Sequence, residues 1–222
     1  MRTVTLAAAL VLAAVPAAAQ QSAKADTAGH RSAPQSAETG KLPAGWTARL
    51  DRNADLSKVK FGVMEPGYHI TLGPAGIFWR EGERANGPFH AVATIHQTSA
   101  PTHPEGYGLF YGGQALTGEG QKYTYFLIRG DGTFLIKERN GAETKNITEG
   151  WVEHAAVKAQ NAEGAASNKL EIDAMGDQVR FLVNGQAVHS MAAAPGSRNG
   201  IIGLRINHNL DVHVQDFEVH QQ

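Results

Sequence analysis

Eight polar and aromatic side chains are the residues of this sequence best suited to bind a ligand. Tyrosine rings can stack on the apolar C–H faces of a sugar, while arginine, asparagine and histidine can pair with its hydroxyl groups. All eight lie in or directly after segments where apolar and polar residues alternate, which predicts β-strands. We predict that at least four of them share one concave groove that binds a carbohydrate or another oxygen-rich small ligand. The eight residues are His90, His96, Tyr123, Tyr125, Arg129, Arg205, Asn207 and His213.

The segment around residue 125 shows how this prediction is made and what its alternative is. Tyr123, Tyr125 and Arg129 occupy odd positions, whereas Phe126 and Ile128 occupy even ones. Successive side chains of a strand point to opposite faces. If the phenylalanine and isoleucine face the core, the tyrosines and the arginine line an outer surface. The alternative, in which the tyrosines themselves fill the core, stays open because large aromatic residues usually do so.

Catalytic and metal-binding residues do not occur at any recognisable spacing. The chain has no cysteine, which excludes disulfides, thiolate metal sites and cysteine nucleophiles. The 10 histidines form no HExxH pattern or other short metal-ligand spacing. A glycine-rich phosphate loop and a nucleophile elbow are also missing from the sequence. We therefore predict no metal site and no cofactor, although a zinc site assembled from distant strands stays open.

Alternating segments separated by turns dominate residues 45–220. Gly130-Asp131-Gly132 and Asn184-Gly185 are typical of tight hairpins. Many short strands joined by glycine-rich turns predict an all-β fold, a two-sheet antiparallel jelly-roll sandwich of roughly 12–14 strands. Twelve apolar residues are predicted to form its core: Ile70, Leu72, Phe126, Ile128, Phe134, Ile136, Leu170, Ile172, Phe181, Leu204, Ile206 and Phe217.

The N-terminal residues predict export. Residues 1–19 combine Arg2, an apolar run too short to span a bilayer and a small-residue cleavage site, as a signal peptide does. Residues 20–43 are mostly small and polar and predict a flexible linker, so the domain covers 44–222. We expect a periplasmic or secreted protein with no membrane span after cleavage. The 20 basic and 21 acidic residues argue against a nucleic-acid partner, and the oligomeric state is left open.

Four segments carry a resemblance to a known family. They are Phe89–Ile95 with Gly106–Gly113, Tyr123–Phe134, Asn168–Gly185, and Gly200–Asn207 with Asp216–Val219. Their order resembles the concanavalin A-like lectin and glucanase sandwich, in its laminin G-like branch. The chain is also distantly similar to a secreted bacterial family of 3-keto-disaccharide hydrolases, but lacks its usual opening block. The resemblance implies the jelly-roll fold, whereas fold alone does not determine function.

Two acidic residues of one predicted strand could take part in the hydrolysis of glycosides. Glu171 and Asp173 resemble part of the glucanase Glu-x-Asp-x-(x)-Glu strand, but the last acid is missing. Retaining glycosidases need two suitably spaced carboxyl groups, so the set is incomplete. The simpler interpretation is a solvated strand face.

Two hypotheses of function follow, with a third behind them. The first is an exported, non-catalytic module that binds a glycan. The alternative is a glycoside or 3-keto-disaccharide hydrolase on the same fold, and a protein-binding structural domain is less favoured. In the first, Arg129 and Arg205 donate hydrogen bonds to the ligand, each worth about 1.5–3 kcal/mol. The sequence then predicts that Arg205→Ala weakens binding roughly tenfold and leaves the melting temperature nearly unchanged.

Overall fold

The structure is a computed structural model that describes residues 38–222. The predicted signal peptide and most of the predicted linker lie outside the described residues, so both assignments stay predictions. At the end of the predicted linker, the N–H of Gly40 donates a hydrogen bond to the carbonyl of Val59 at 2.9 Å. Leu42 packs against the core of the domain.

Fifteen strands contain 57% of the described residues, and the regular structure is otherwise two short 3-10 helices at Asp51–Asn53 and Leu56–Lys58. The strands are β1 (Trp46–Leu50), β2 (Val59–Val63), β3 (Tyr68–Leu72), β4 (Gly76–Asn86), β5 (Phe89–Gln97), β6 (Tyr107–Gln114), β7 (Lys122–Ile128), β8 (Thr133–Asn140), β9 (Glu143–Asn146), β10 (Val152–Glu153), β11 (Ala166–Ala174), β12 (Gln178–Val183), β13 (Gln186–Ala192), β14 (Asn199–Ile206) and β15 (Leu210–Gln221).

The strands form two antiparallel sheets, as predicted. The first sheet has eight strands in the order β1-β4-β14-β6-β7-β8-β10, with β9 paired to β8. The second has seven strands in the order β13-β12-β11-β5-β15-β3-β2. The predicted number of strands was too low because β9 is exposed throughout and β10 has only two residues, so neither shows alternation. Among residues 38–222, no helix is both long and apolar enough to cross a membrane.

The core lies between the two sheets and contains all twelve residues predicted for it. Alternation places Phe126 and Ile128 inward from β7, while Leu170 and Ile172 face them from the other sheet. The predicted hairpin at Asn184-Gly185 is also present, and both residues have positive φ, as a type I′ turn requires. Short-range pattern was therefore sufficient to predict the fold and its core.

Gly203 in the middle of β14 leaves room for an aromatic ring that packs against the backbone of this strand. A Cβ atom at this position would lie 2.6 Å from the ring of Phe110 and 2.4 Å from the carbonyl oxygen of Phe78. We expect Gly203→Ala to lower the free energy of unfolding by about 1–3 kcal/mol, as overpacking does. Urea denaturation measures this. The matched control is Gly82→Ala in β4, where a Cβ atom meets nothing within 4 Å. Equal stability of the two variants would show that Gly203 is not required for this packing.

Candidate functional site

The eight predicted site residues are divided between the two sheets, so not all of them can share one groove. Five belong to the first sheet: Tyr123 and Tyr125 lie in β7, Arg205 lies in β14, and Arg129 and Asn207 directly follow these strands. The other three belong to the second sheet, namely His90 and His96 in β5 and His213 in β15. Alternation in the sequence predicts which side chains point away from the core. Each of the two sheets has such an outward face, and alternation does not tell on which of the two a side chain lies.

The histidines of the second sheet form a row across its outward face. His213 is paired in register with His69 on one side and with His96 on the other, and the ring centroids are 6.2 and 5.9 Å apart. His69 Nε2 lies 2.9 Å from a carboxylate oxygen of Asp211, and His213 Nε2 lies 3.1 Å from the carbonyl oxygen of Pro66. Burial lowers the pKa of His213, and the neighbouring histidines act in the same direction. These contacts tie adjacent strands together.

The two acids that resemble the glucanase strand lie on the same outward face. Glu171 is paired with His90 at 3.1 Å and with Lys169 at 3.2 Å, while Asp173 is paired with Arg180. Both carboxylates are thus occupied by basic neighbours. The two carboxylates are mostly covered, with side chains 12% and 16% exposed, so this part of the strand face is made of ion pairs and is less solvated than expected.

The outward face of the first sheet carries a second, smaller hydrophobic cluster. In register across β4, β14, β6 and β7 lie Trp79, Gly203, Phe110 and Tyr125. Phe110 and Tyr123 are 5.2 Å apart between ring centroids, and Tyr123 and Tyr125 are 5.7 Å apart. The tyrosines therefore point outward, as predicted, but they are buried.

The segment between β6 and β7, residues 115–121, contributes to this burial. Leu116 is buried and belongs to the same cluster as the two tyrosines. Arg49 of β1 holds the segment, because its guanidinium donates hydrogen bonds to the carbonyls of Leu116 and Gly118. The tyrosine rings consequently do not form an open platform for stacking a sugar.

A buried ion pair joins the centre of this face to the end of β1. Arg205 donates two hydrogen bonds to the carboxylate of Asp51, at 2.8 and 2.6 Å. The Arg205 side chain is 8% exposed and that of Asp51 is 31% exposed. The guanidinium of Arg205 also lies 5.9 Å from the ring centroid of Tyr125. Such a two-pronged pair fixes both geometry and charge.

Burial and the charges of this pair act together on the pKa values of the groups at this face. Burial acts to raise the pKa of Asp51, but the hydrogen bond and the positive charge of Arg205 outweigh it, so the pKa falls below its ordinary value. Burial raises the pKa of Tyr123 and of Tyr125, despite the nearby arginines. The face therefore presents an ionised carboxylate and neutral phenols at neutral pH.

A cavity of about 600 Å³, which we call the arginine cavity, opens beside the ion pair. It is lined by Arg49, Asp51, Arg52, Asn53, Glu119, Gln121, Arg139, Gly141 and Ala142. Of its lining residues, Arg139 has a buried Nε without a hydrogen-bond partner among the described residues, as do Nε of Arg205, the ion-pair partner of Asp51, and the hydroxyl of Tyr123, which is paired in register with Arg139. Buried polar groups are normally satisfied, so this group of atoms favours a site for a polar ligand or for water.

The wall of the arginine cavity also contains strained backbone. Arg52 and Asn53 both adopt positive φ, at 56° and 51°, directly after Asp51. Non-glycine residues in this region cost about 1–3 kcal/mol each and cluster at functional sites. These two residues lie where the chain turns away from β1, directly after the carboxylate that pairs with Arg205.

A second cavity, of about 790 Å³, lies at the other end of the first sheet. Its lining includes Trp79, Glu81, Arg84, Asn86 and Asn199. The indole N–H of Trp79 donates to Glu81 at 3.1 Å, and the ring is buried. This cavity is polar, but it does not expose an aromatic surface from Trp79 and lies away from the Arg205–Asp51 pair.

Sequence reasoning identified Arg205 but missed the residues that complete the site. Arg49 and Asp51 stand two positions apart at the end of a strand, a spacing that places both side chains on one face. Arg139 is the cross-strand partner of Tyr123. The spacing of Arg49 and Asp51 can be read from the sequence. The position of Arg139 beside Tyr123 cannot, because it depends on the register between β7 and β8.

Comparison with solved structures shows where this fold has been seen before. The carbohydrate-binding module CBM66 from Bacillus subtilis matches with a TM-score of 0.58 at 11% identity, over 79% of this chain and 95% of that one. The β-glucanase of Bacillus licheniformis matches with a TM-score of 0.54 at 8% identity, over 85% and 98%. No protein-family model matches the chain, and no curated protein matches it in sequence. The chain thus has the concanavalin A-like jelly-roll fold of lectins and glucanases.

Proposed function

We propose that this protein is an exported carbohydrate-binding module that binds an acidic oligosaccharide in the arginine cavity. The observation that carries the proposal is the buried Arg205–Asp51 pair under a cavity whose other lining residues are mainly polar and basic. Support for export comes from the N-terminal sequence alone. The fold, shared with a carbohydrate-binding module, is compatible with this function.

The balance of charge favours an acidic sugar. Arg205 neutralises Asp51, which leaves Arg49, Arg52 and Arg139 facing Glu119 around the arginine cavity. Guanidinium groups bind carboxylates strongly and with defined geometry. The ionised oxygens of Asp51 can accept hydrogen bonds from sugar hydroxyls, while arginine N–H groups can donate to them. The chemical class that fits best is therefore an oligosaccharide that contains uronic acids.

A glycan array that contains both neutral and uronate-bearing oligosaccharides tests the proposed ligand. We expect the strongest signals from the uronates and a decrease in affinity as salt concentration rises, because salt screens exposed charges. Preference for neutral sugars would contradict the acidic class while leaving carbohydrate binding intact. No binding to any sugar would contradict the proposed function itself.

The location of the site is tested by one arginine variant and its control. Removing the half-buried guanidinium in Arg139→Ala should weaken binding to the best array ligand about tenfold, the value of one charged hydrogen bond. Isothermal titration calorimetry measures the dissociation constant. Arg84→Ala is the control, since Arg84 lines the other cavity of the same sheet. If Arg84→Ala abolished binding and Arg139→Ala did not, the site would lie at that other cavity.

One observation favours the hydrolase alternative, namely that Asp51 and Glu119 line the same cavity. Glycosidases need one carboxyl group that stays protonated to act as the acid. Asp51 is unsuited to that role because Arg205 lowers its pKa. The proposed role in binding predicts no product from ordinary or 3-keto disaccharides after prolonged incubation. Hydrolysis that disappears in Glu119→Gln would support the enzyme instead.

A further inference from the structure

A cluster of three potential metal ligands lies outside the proposed sugar site. His103 and Glu105 belong to residues 98–106, which connect β5 to β6, and His208 lies between β14 and β15. One ligand atom from each of the three residues lies within 4.8 Å of the other two. The segments are about one hundred residues apart in sequence and meet because β14 pairs with β6.

Glu105 is the central residue of this cluster. Its side chain is only 8% exposed, and its carboxylate lies 2.9 Å from Nε2 of His208, which is 47% exposed. A buried carboxylate is costly unless positive charge compensates it. Arg129, whose guanidinium stacks on Trp151 at 3.7 Å from the ring centroid, is close enough for its charge and that of Glu105 to act on each other. Glu105 is therefore partly compensated by Arg129, pairs with the imidazole of His208, and has a donor atom of His103 within 4.8 Å.

The backbone around the ligands is restrained. Pro101 and Pro104 flank His103, and proline fixes φ and reduces the freedom of the unfolded segment. After β14, the N–H of Asn207 donates to the carbonyl of Gly106 at 2.9 Å, so the two segments are held side by side. The ring centroids of His103 and His208 are 5.9 Å apart. The three side chains thus converge on one place, with their donor atoms within 4.8 Å of one another.

We propose that His103, Glu105 and His208 bind one zinc ion. Two imidazole nitrogens and a carboxylate oxygen are a common zinc ligand set, with bonds of about 2.0–2.2 Å in a tetrahedral arrangement. A fourth position is left for water. Calcium prefers six to eight oxygen ligands, so this set selects against it. The ion replaces the hydrogen bond between Glu105 and His208 and ties residues 98–106 to the turn before β15.

The experiment uses the purified protein without a histidine tag, freed of metal by a chelator and then dialysed. Titration with zinc chloride by calorimetry should give one ion per chain, and the melting temperature should rise with zinc. Calcium chloride should give no binding at this site. The exposed residue His103 can be changed with little effect on folding, so His103→Ala is the first variant. We expect His103→Ala to weaken zinc binding at least tenfold. Glu105→Gln should weaken it by at least the same factor.

The control variant is His213→Ala, in the histidine row of the second sheet. It should leave zinc affinity unchanged. If His213→Ala abolished binding while His103→Ala did not, the ion would bind to the histidine row and the proposal would be overturned. No zinc binding at all, or binding of calcium alone, would show that Glu105 and His208 form only an ion pair. None of these outcomes depends on whether the protein binds sugars.

Discussion

The Arg205→Ala variant is expected to lose about 2–3 kcal/mol of unfolding free energy, which a urea titration measures. The reason is that the substitution removes a buried guanidinium and leaves Asp51 without the two hydrogen bonds of 2.8 and 2.6 Å that hold it. Breaking a fully buried pair costs about 3–5 kcal/mol, and the partial exposure of Asp51 reduces this. This expectation replaces the one drawn from the sequence, in which the melting temperature stayed nearly unchanged.

A surface ion pair of the second sheet is the matched control. Arg180 and Asp173 form a cross-strand pair between β12 and β11, and the arginine side chain is 52% exposed. Exposed pairs contribute about 0–1 kcal/mol, so Arg180→Ala should have a much smaller effect. If the two arginine variants were equally stable, the Arg205–Asp51 pair would not stabilise the first sheet.

A double-mutant cycle separates the pair from the general effect of removing a large side chain. The stabilities of Arg205→Ala, Asp51→Ala and the double variant give a coupling free energy, which we expect to be about 1–3 kcal/mol. Additive losses would mean that the two residues act independently. The variant Arg205→Lys keeps the positive charge but loses the two-pronged geometry. If it binds the array ligand as well as the wild type does, the charge of Arg205 is sufficient for binding; if it binds more weakly, the geometry is also required.

The alternation of residues was enough to predict the two-sheet fold and its core, because each strand shows which of its residues are apolar. It also predicted correctly that Tyr123 and Tyr125 point away from the main core. It could not predict that both are buried, since that depends on Leu116, Arg205 and the hydrophobic cluster of the outward face. A period of two distinguishes inward from outward, but it does not say what covers the outward side.

The sequence also did not predict which strands belong to which sheet. His96 and Tyr123 have the same local pattern, yet one lies in the second sheet and the other in the first. The order of strands in each sheet depends on long-range pairing, which no short segment encodes. Asp51 could not be predicted as the partner of Arg205 for the same reason, because the two residues are 154 positions apart in the sequence. Contacts of this kind define the candidate site and also the proposed zinc site.

The stability that the Asp51–Arg205 pair contributes should disappear in acid. The pKa of Asp51 is lower in the folded protein than its ordinary value of 3.8. A carboxyl group with a lowered pKa stabilises the folded state fully above its unfolded pKa, and this contribution is lost as the pH falls through the folded pKa. The difference in unfolding free energy between the wild type and Asp51→Asn should therefore be constant near neutral pH and shrink below about pH 4.

Urea titrations at intervals from neutral pH to strongly acidic pH measure this difference. Taking the difference between two proteins removes the effect of other carboxylates that titrate in the same range. Asp177→Asn is the control, because Asp177 is exposed in a turn and forms no ion pair within residues 38–222. Its difference from the wild type should stay small at every pH. A difference for Asp51→Asn that stayed constant into strong acid would mean that Arg205 does not hold the carboxylate ionised, and the charge balance proposed for the arginine cavity would have to be revised.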